Sequence, residues 1–97
     1  MRYELLLSPQ AIRDIRSLSG RLRAELREQL EVHLRHSPSS TSRSRIKRLR
    51  GLGRPQYRLR VGDLRVFYDI EGGQVHILTI VSKGLAQGWL ERHGVAE

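Results

Sequence analysis

The chain has 97 residues, no cysteine, and 18 Lys and Arg against 10 Asp and Glu, a formal net charge of +8 at neutral pH. That length predicts one small domain, 1–97, with a single core, and the missing cysteines exclude a disulfide framework and thiolate chemistry while fitting a reducing, cytoplasmic setting. The charge is local: residues 43–65 hold nine basic side chains against one acid, Asp63, so the rest of the chain is neutral overall.

In chain order, MRYELLLSPQ carries one basic residue and a short apolar run that meets Pro9, the pattern of neither a signal peptide nor a membrane span. Tyr3 to Leu7 predicts a first strand. Ser8-Pro9 reads as a helix cap followed by proline at the first helical position, and Ala11, Ile12, Ile15 and Leu18 give a short amphipathic helix broken at Ser19-Gly20. A second helix is predicted from Arg21 to His36, with Leu22, Leu26, Leu30 and Leu34 on one stripe. The Pro- and Ser-rich residues 37–42 read as a loop leading into the basic stretch. From Gln56 the period becomes two. Gln56–Val61, Leu64–Glu71 and Gln74–Ser82 predict three strands joined by Gly62-Asp63 and Gly72-Gly73 turns. Residues 85–92, closed by Gly94, predict a last short helix with Leu85, Trp89 and Leu90 packed inward. The fold class expected is α+β, a small antiparallel sheet with two N-terminal helices packed on one face, in the order β-α-α-β-β-β-α.

The first hairpin gives the chemistry. A two-residue turn at Gly62-Asp63 sets Arg60 opposite Arg65 and Arg58 opposite Phe67. Tyr57, Leu59, Val61, Leu64, Val66, Tyr68 and Ile70 then face the helices. Arg58, Arg60 and Arg65 face the other way, with Phe67, His76, Leu78 and Ile80 expected beside them. Clustered arginine suits planar, bidentate anions such as phosphate, so this face reads as a polyanion site, with nucleic acid the leading partner. Lys47, Arg48, Arg50 and Arg54 form a basic lead-in. Four scattered histidines without cysteine give no zinc set, and no metal or other cofactor is expected.

The run Leu49-Arg50-Gly51, Tyr57-Arg58-Leu59-Arg60-Val61-Gly62-Asp63 and Leu64-Arg65-Val66-Phe67-Tyr68 resembles the core of the RelE/ParE toxin superfamily, and the resemblance extends from the first strand to Lys83. It implies a toxin of a bacterial type II toxin–antitoxin pair. For RelE-like members it implies ribosome-dependent, metal-independent cleavage of mRNA by attack of the ribose 2′-hydroxyl on the adjacent phosphate. Arg50, Arg58, Arg60, Arg65 and Lys83 match the family's basic site. Arg60 and Arg65 would then hold the scissile phosphate, while Lys47 and Arg50 would contact message or ribosomal backbone. This chain departs from the family in two respects. Lysines stand in the best-known members where Arg58 and Arg60 stand here, and arginine does not give up its proton. The family's catalytic tyrosine is replaced by Trp89, which leaves His76 as the candidate acid–base group on the arginine face. The nuclease is the leading expectation; as alternatives the resemblance admits a ParE-like inhibitor of DNA gyrase, or a toxin remnant that mainly binds its antitoxin. In every case it implies a cognate acidic antitoxin as partner and operator DNA only through the toxin–antitoxin complex, with mRNA and the ribosome added for the nuclease.

Overall fold

Two serines start the two N-terminal helices. Ser8 Oγ accepts the amide of Ala11 at 3.0 Å and Ser19 Oγ that of Leu22 at 3.2 Å, each satisfying a backbone donor that the first helical turn leaves open. The computed structural model describes residues 1–97. Its elements are β1 (Glu4–Leu7), α1 (Pro9–Arg16), α2 (Gly20–Leu34), β2 (Ile46–Arg48), β3 (Leu52–Arg54), β4 (Tyr57–Val61), β5 (Leu64–Glu71), β6 (Gln74–Ser82), α3 (Lys83–His93) and β7 (Val95–Ala96).

A five-stranded sheet runs in the order β1-β6-β5-β4-β2, and β3 pairs with β7 in a separate ribbon. The fold class expected from the sequence holds, α+β with a mostly antiparallel sheet, but β1 joins β6 in parallel. Short β2, β3 and β7 are additions to the predicted strands. Their three-residue and two-residue lengths fall in the basic stretch and the tail, where no alternation of apolar residues marks them. Gly62 and Gly72, at φ +56° and +57°, turn the two hairpins as expected, and Val61 pairs with Leu64, Glu71 with Gln74.

The core lies between the sheet and the helices. Leu26, Leu30 and Leu34 of α2 pack with Leu59, Val66, Tyr68, Val75 and Ile77. The leucine stripe is therefore real, although Leu22 at its start stays 41% exposed. Tyr68 is fully buried, and its hydroxyl donates to the carbonyl of Pro38 at 2.6 Å, tying the 37–42 loop to the sheet. Burial, reinforced by Tyr57, pushes its phenol well above the usual tyrosine range, so it stays a neutral donor. Tyr68→Phe strands a buried carbonyl without its donor and should cost about 1–2 kcal/mol. The check is a urea titration, with the midpoint lowered and the slope unchanged.

Three sequence expectations are corrected. Ile80 lies in the core and not on the outer face, because a bulge at Leu78 shifts the β5–β6 register: Phe67 pairs with Thr79 but Tyr68 with Ile77, leaving Leu78 over. The cause is α1, which runs past the end of β1 and bonds to β6 itself. Ser8 Oγ donates to the Leu78 carbonyl at 2.7 Å, and Asp14 Oδ2 accepts from Thr79 Oγ1 at 2.6 Å and from the Ile80 amide at 2.9 Å. Second, α2 ends at Leu34, short of His36. Third, Leu85 is 64% exposed, so α3 holds to the sheet through Trp89 rather than through a Leu85 anchor.

Candidate nucleic-acid interface

The outer face of the sheet, away from α2, carries a row of cations that the strand register assembles. Lys47 of β2 stands opposite Arg58 of β4, and Arg60 of β4 opposite Arg65 of β5. Alternation along each strand sends all four to the same side. None of them pairs with a carboxylate. Asp69, the acid closest in sequence on that side of β5, is taken by Arg54 at 3.1 Å and by the Gln56 amide at 2.7 Å.

The three arginines play different parts. Arg65 is only 8% exposed, and its Nη1 donates to the carbonyls of Gly62 and Leu64 at 2.8 and 2.9 Å. It braces the hairpin turn and sets the end of the row. Arg60 is exposed and makes no side-chain hydrogen bond within the chain. Arg58 is half-buried, and its Nε is shut off from solvent with no hydrogen-bond partner. Desolvation, followed by the charges of Arg65 and Arg60, lowers the pKa of its guanidinium, although an arginine so placed still carries its proton. Lys83 opens α3 at the same end of the row, where its amide donates to the Asp63 carbonyl at 2.7 Å, and its side chain is exposed.

Beyond the arginines along β5 lies an aromatic ladder. Phe67 stacks on Trp89 with ring centres 5.3 Å apart and planes 10° from parallel, and His93 sits 5.0 Å from Trp89. The stack pins α3 across the outer face, so Trp89 is a packing residue whose indole is occupied by Phe67.

The remaining candidates separate from the row. His76 is on the same side of the sheet, yet it pairs across with Asp69, four residues along β5 from Arg65 and so roughly 13 Å away, beyond the Phe67–Trp89 stack. Its Nε2 is buried without a hydrogen bond, with Glu71 at 4.0 Å. Arg48 pairs with Tyr57 on the other side of the sheet, where its guanidinium lies over the Tyr57 ring and Nη1 donates to the carbonyls of Leu49 and Gln56. Arg54 is engaged by Asp69, while Arg50 is exposed in the turn between β2 and β3. The structure thus brings together Lys47, Arg58, Arg60, Arg65 and Lys83, and sets His76, Arg48 and Arg54 apart. Nor does any cluster of three His, Asp or Glu side chains form a cation cradle. Sequence reasoning missed Arg65's bracing of its own turn. An arginine two residues after a glycine turn is the signal that would have suggested it.

Chemically, this face can bind and neutralise an anion of phosphate geometry at several points. Every side chain in the row is a guanidinium or an ammonium, so what the row offers is positive charge and hydrogen-bond donors.

Residues 5–84 match the family model described as the ParE toxin of type II toxin–antitoxin system, parDE. Among solved structures the chain is similar to the archaeal RelE–RelB complex from Pyrococcus horikoshii OT3, with 25% identity over 87% of this chain and 98% of that chain and a TM-score of 0.71. It is also similar to the toxin–antitoxin complex RelBE2 from Mycobacterium tuberculosis, at 25% identity over 84% and 99% of the two chains with a TM-score of 0.66. A free, arginine-to-alanine mutant of Escherichia coli toxin RelE shares the fold, with a TM-score of 0.70 at 21% identity over 96% and 99%. Comparison with curated protein sequences finds no match.

Proposed function

Because this chain belongs to the ParE toxin family of type II toxin–antitoxin systems, we propose that its outer sheet face grips an RNA phosphodiester and that the protein is a ribosome-dependent, metal-independent mRNA endoribonuclease. The observation that carries this reading is Arg58. Its guanidinium makes no hydrogen bond within the chain and the charges that act on it, Arg65 and Arg60, are both cationic, so an anion from outside is what would complete the row. In the reaction the 2′-hydroxyl oxygen bonds to the adjacent phosphorus and the bond to the 5′-oxygen breaks, leaving a 2′,3′-cyclic phosphate and a 5′-hydroxyl. Arg58, Arg60 and Arg65 neutralise the charge that builds on the phosphoryl oxygens, and Lys83 extends the same positive end. Water takes the 2′ proton and returns one to the leaving oxygen, since no group of the row does so. Removing one such charge typically slows a reaction by about 10²–10³-fold.

A second reading has specific support. The matched family is described by its ParE member, and the row consists of arginines and lysines, with no carboxylate or imidazole among them. Both fit a toxin that inhibits DNA gyrase by binding alone. In either reading the chain binds an antitoxin, as the toxins of the solved RelE–RelB and RelBE2 complexes do; the chain's net charge of +8 favours an acidic one, with operator DNA reached only through the complex.

Induction of the chain in bacteria, with mapping of mRNA 5′ ends, tests the reading. Cuts in phase with codons, lost when translation is blocked beforehand, are expected. Arg60→Ala should abolish them without changing thermal stability, since that side chain makes no internal contact of note. Growth arrest with intact message and broken chromosomal DNA would transfer the toxin to gyrase.

A further inference from the structure

The register that builds the arginine row runs one residue past the start of β2. The Arg60 amide donates to the Arg45 carbonyl at 2.9 Å, so Arg45 stands opposite Arg60 as Arg60 stands opposite Arg65. Three arginines therefore line up across β5, β4 and the residue before β2, at roughly 5 Å per strand. Alternation from Lys47 gives Arg45 the same outer side at this sheet edge. Its side chain is exposed and makes no hydrogen bond or ion pair within the chain. At the other end Arg65 meets Val81 of β6, so across the strands the line of cations lengthens only towards β2.

Arg45 also borders a cleft that opens round the β2 edge. The Pro- and Ser-rich loop folds back beside the end of α2 and leaves about 350 Å³, where Arg45 meets Ser37, Ser40, Ser42 and His33. The loop is held from within. The Ser42 amide donates to the Ile46 carbonyl at 3.0 Å, and Ser42 Oγ accepts the Arg45 amide at 3.0 Å. The hydroxyl proton of Ser42 stays available, as do the exposed hydroxyls of Ser37 and Ser40. No carboxylate lines this cleft, whereas Asp69 and Glu71 line the polar cleft beside Arg54 and His76. His33 Nε2 is engaged with Gln29 at 3.0 Å. Burial, followed by the charge of Arg45, lowers the pKa of its imidazole, so near neutral pH Arg45 is the one cation of the cleft.

One guanidinium, three hydroxyl donors and no acid suit an anion with several oxygens. An isolated anion would meet a single charge here. A polyanion already gripped at Arg60 and Arg65 reaches Arg45 one strand further on. We propose that this cleft is a second phosphate subsite, in which Arg45 and the hydroxyls of Ser40 and Ser42 hold a further phosphodiester of the RNA strand whose scissile phosphate lies on Arg60 and Arg65. The RNA then crosses β5 and β4 and leaves the sheet over the β2 edge. The inference rests on the reading of the outer face as an RNA grip. It adds the direction in which the substrate runs and a residue that binds it away from the reacting atoms.

The test is binding of a 2′-O-methyl RNA hexanucleotide, which lacks the attacking hydroxyl and stays whole, to the purified chain over a range of salt. Each phosphate neutralised on a single strand adds about 0.7 to the slope of log affinity against log salt. Arg45→Ala and Arg60→Ala should each flatten the slope by about 0.7, and the two together by about 1.4, because they meet different phosphates. Arg45→Lys keeps the charge and should keep the wild-type slope. In NMR spectra the hexanucleotide should shift the Ser40 and Ser42 amides, and inorganic phosphate at the same phosphate concentration should not. Equal shifts with inorganic phosphate would make the cleft a site for a free anion and overturn its assignment to the RNA strand. A hexanucleotide bound with the same slope by wild type and Arg45→Ala would overturn the subsite alone, as would a double variant no flatter than Arg60→Ala. No binding by the wild type would overturn it together with the RNA grip. Failure of the nuclease reading would appear as intact message in induced cells and leave these slopes standing.

Discussion

Replacing Arg58 by methionine is expected to stabilise the protein and disarm it. Methionine keeps the length and apolar stem of the side chain but removes a guanidinium whose Nε is buried without a partner and which faces Arg60 and Arg65 in a half-desolvated setting. An unsatisfied buried donor costs about 1–3 kcal/mol, and part of the Arg58 side chain remains in contact with solvent, so a gain near the lower end, about 1 kcal/mol, is expected in a urea titration. Growth inhibition should fall by about two orders of magnitude, because the row loses a cation whose charge has no partner within the chain. The opposed signs make the pair of measurements decisive. A binding face keeps like charges together at a cost to the folded chain, and the anion it serves offsets that cost when it arrives. If Arg58→Met lowers stability and leaves toxicity intact, then Arg58 is a packing residue and the row is centred elsewhere.

How far this site was legible in the sequence depends on which bonds are local. Gly62-Asp63 between two alternating runs fixes a hairpin, and the hairpin fixes Arg60 against Arg65 and Arg58 against Phe67, all of which the register shows. These pairings arise from turn geometry within a dozen residues, so no tertiary knowledge was needed. The β5–β6 hairpin was legible only up to its middle. Its turn at Gly72 sets Glu71 against Gln74 and Asp69 against His76, but the bulge at Leu78 then reverses the faces of the residues beyond it. Ile80 enters the core and Thr79 the outer face, and the reason is some sixty-five residues away in α1. Nothing in the alternation of Leu78, Thr79, Ile80 and Val81 announces it. The fate of Arg48 was hidden for a similar reason. In a basic run it reads as one more phosphate contact, whereas pairing with Tyr57 turns it to the other side and spends its Nη1 on two carbonyls. Charge density along a sequence identifies the segment, and only the register decides which of its arginines face the ligand.

Asp14 should be the most costly single side chain to lose outside the apolar core. Read along the sequence it is an acid on the polar side of a short helix, and such a residue ordinarily contributes little. In the folded chain one of its oxygens accepts both the Thr79 hydroxyl and the Ile80 amide. That is the place where β1 has ended and β6 would otherwise present open edge groups beneath α1. Asp14→Ala leaves two part-buried donors without acceptors, for an expected loss of roughly 3 kcal/mol. For a domain this small the shift in melting temperature should be on the order of 10–20 °C. Asp14→Asn separates the two explanations available for such a loss. Its carbonyl oxygen can take both β6 donors while its amide turns to Gln10, which now bonds the other carboxylate oxygen at 2.8 Å and can present its own carbonyl instead. If Asp14 works as an acceptor for the bulged strand, the asparagine variant keeps most of the stability, with a loss near 1 kcal/mol. Equal losses in the two variants would mean that the negative charge itself, set in a strongly cationic chain, is what the protein needs at this position. Toxicity gives the same result a functional side. The bulge places Thr79 beside Phe67 and so shapes the floor on which Trp89 stacks. Asp14→Ala should therefore weaken growth inhibition at temperatures where the chain is still folded, through loss of the α3 anchor rather than through any contact of Asp14 with the anion.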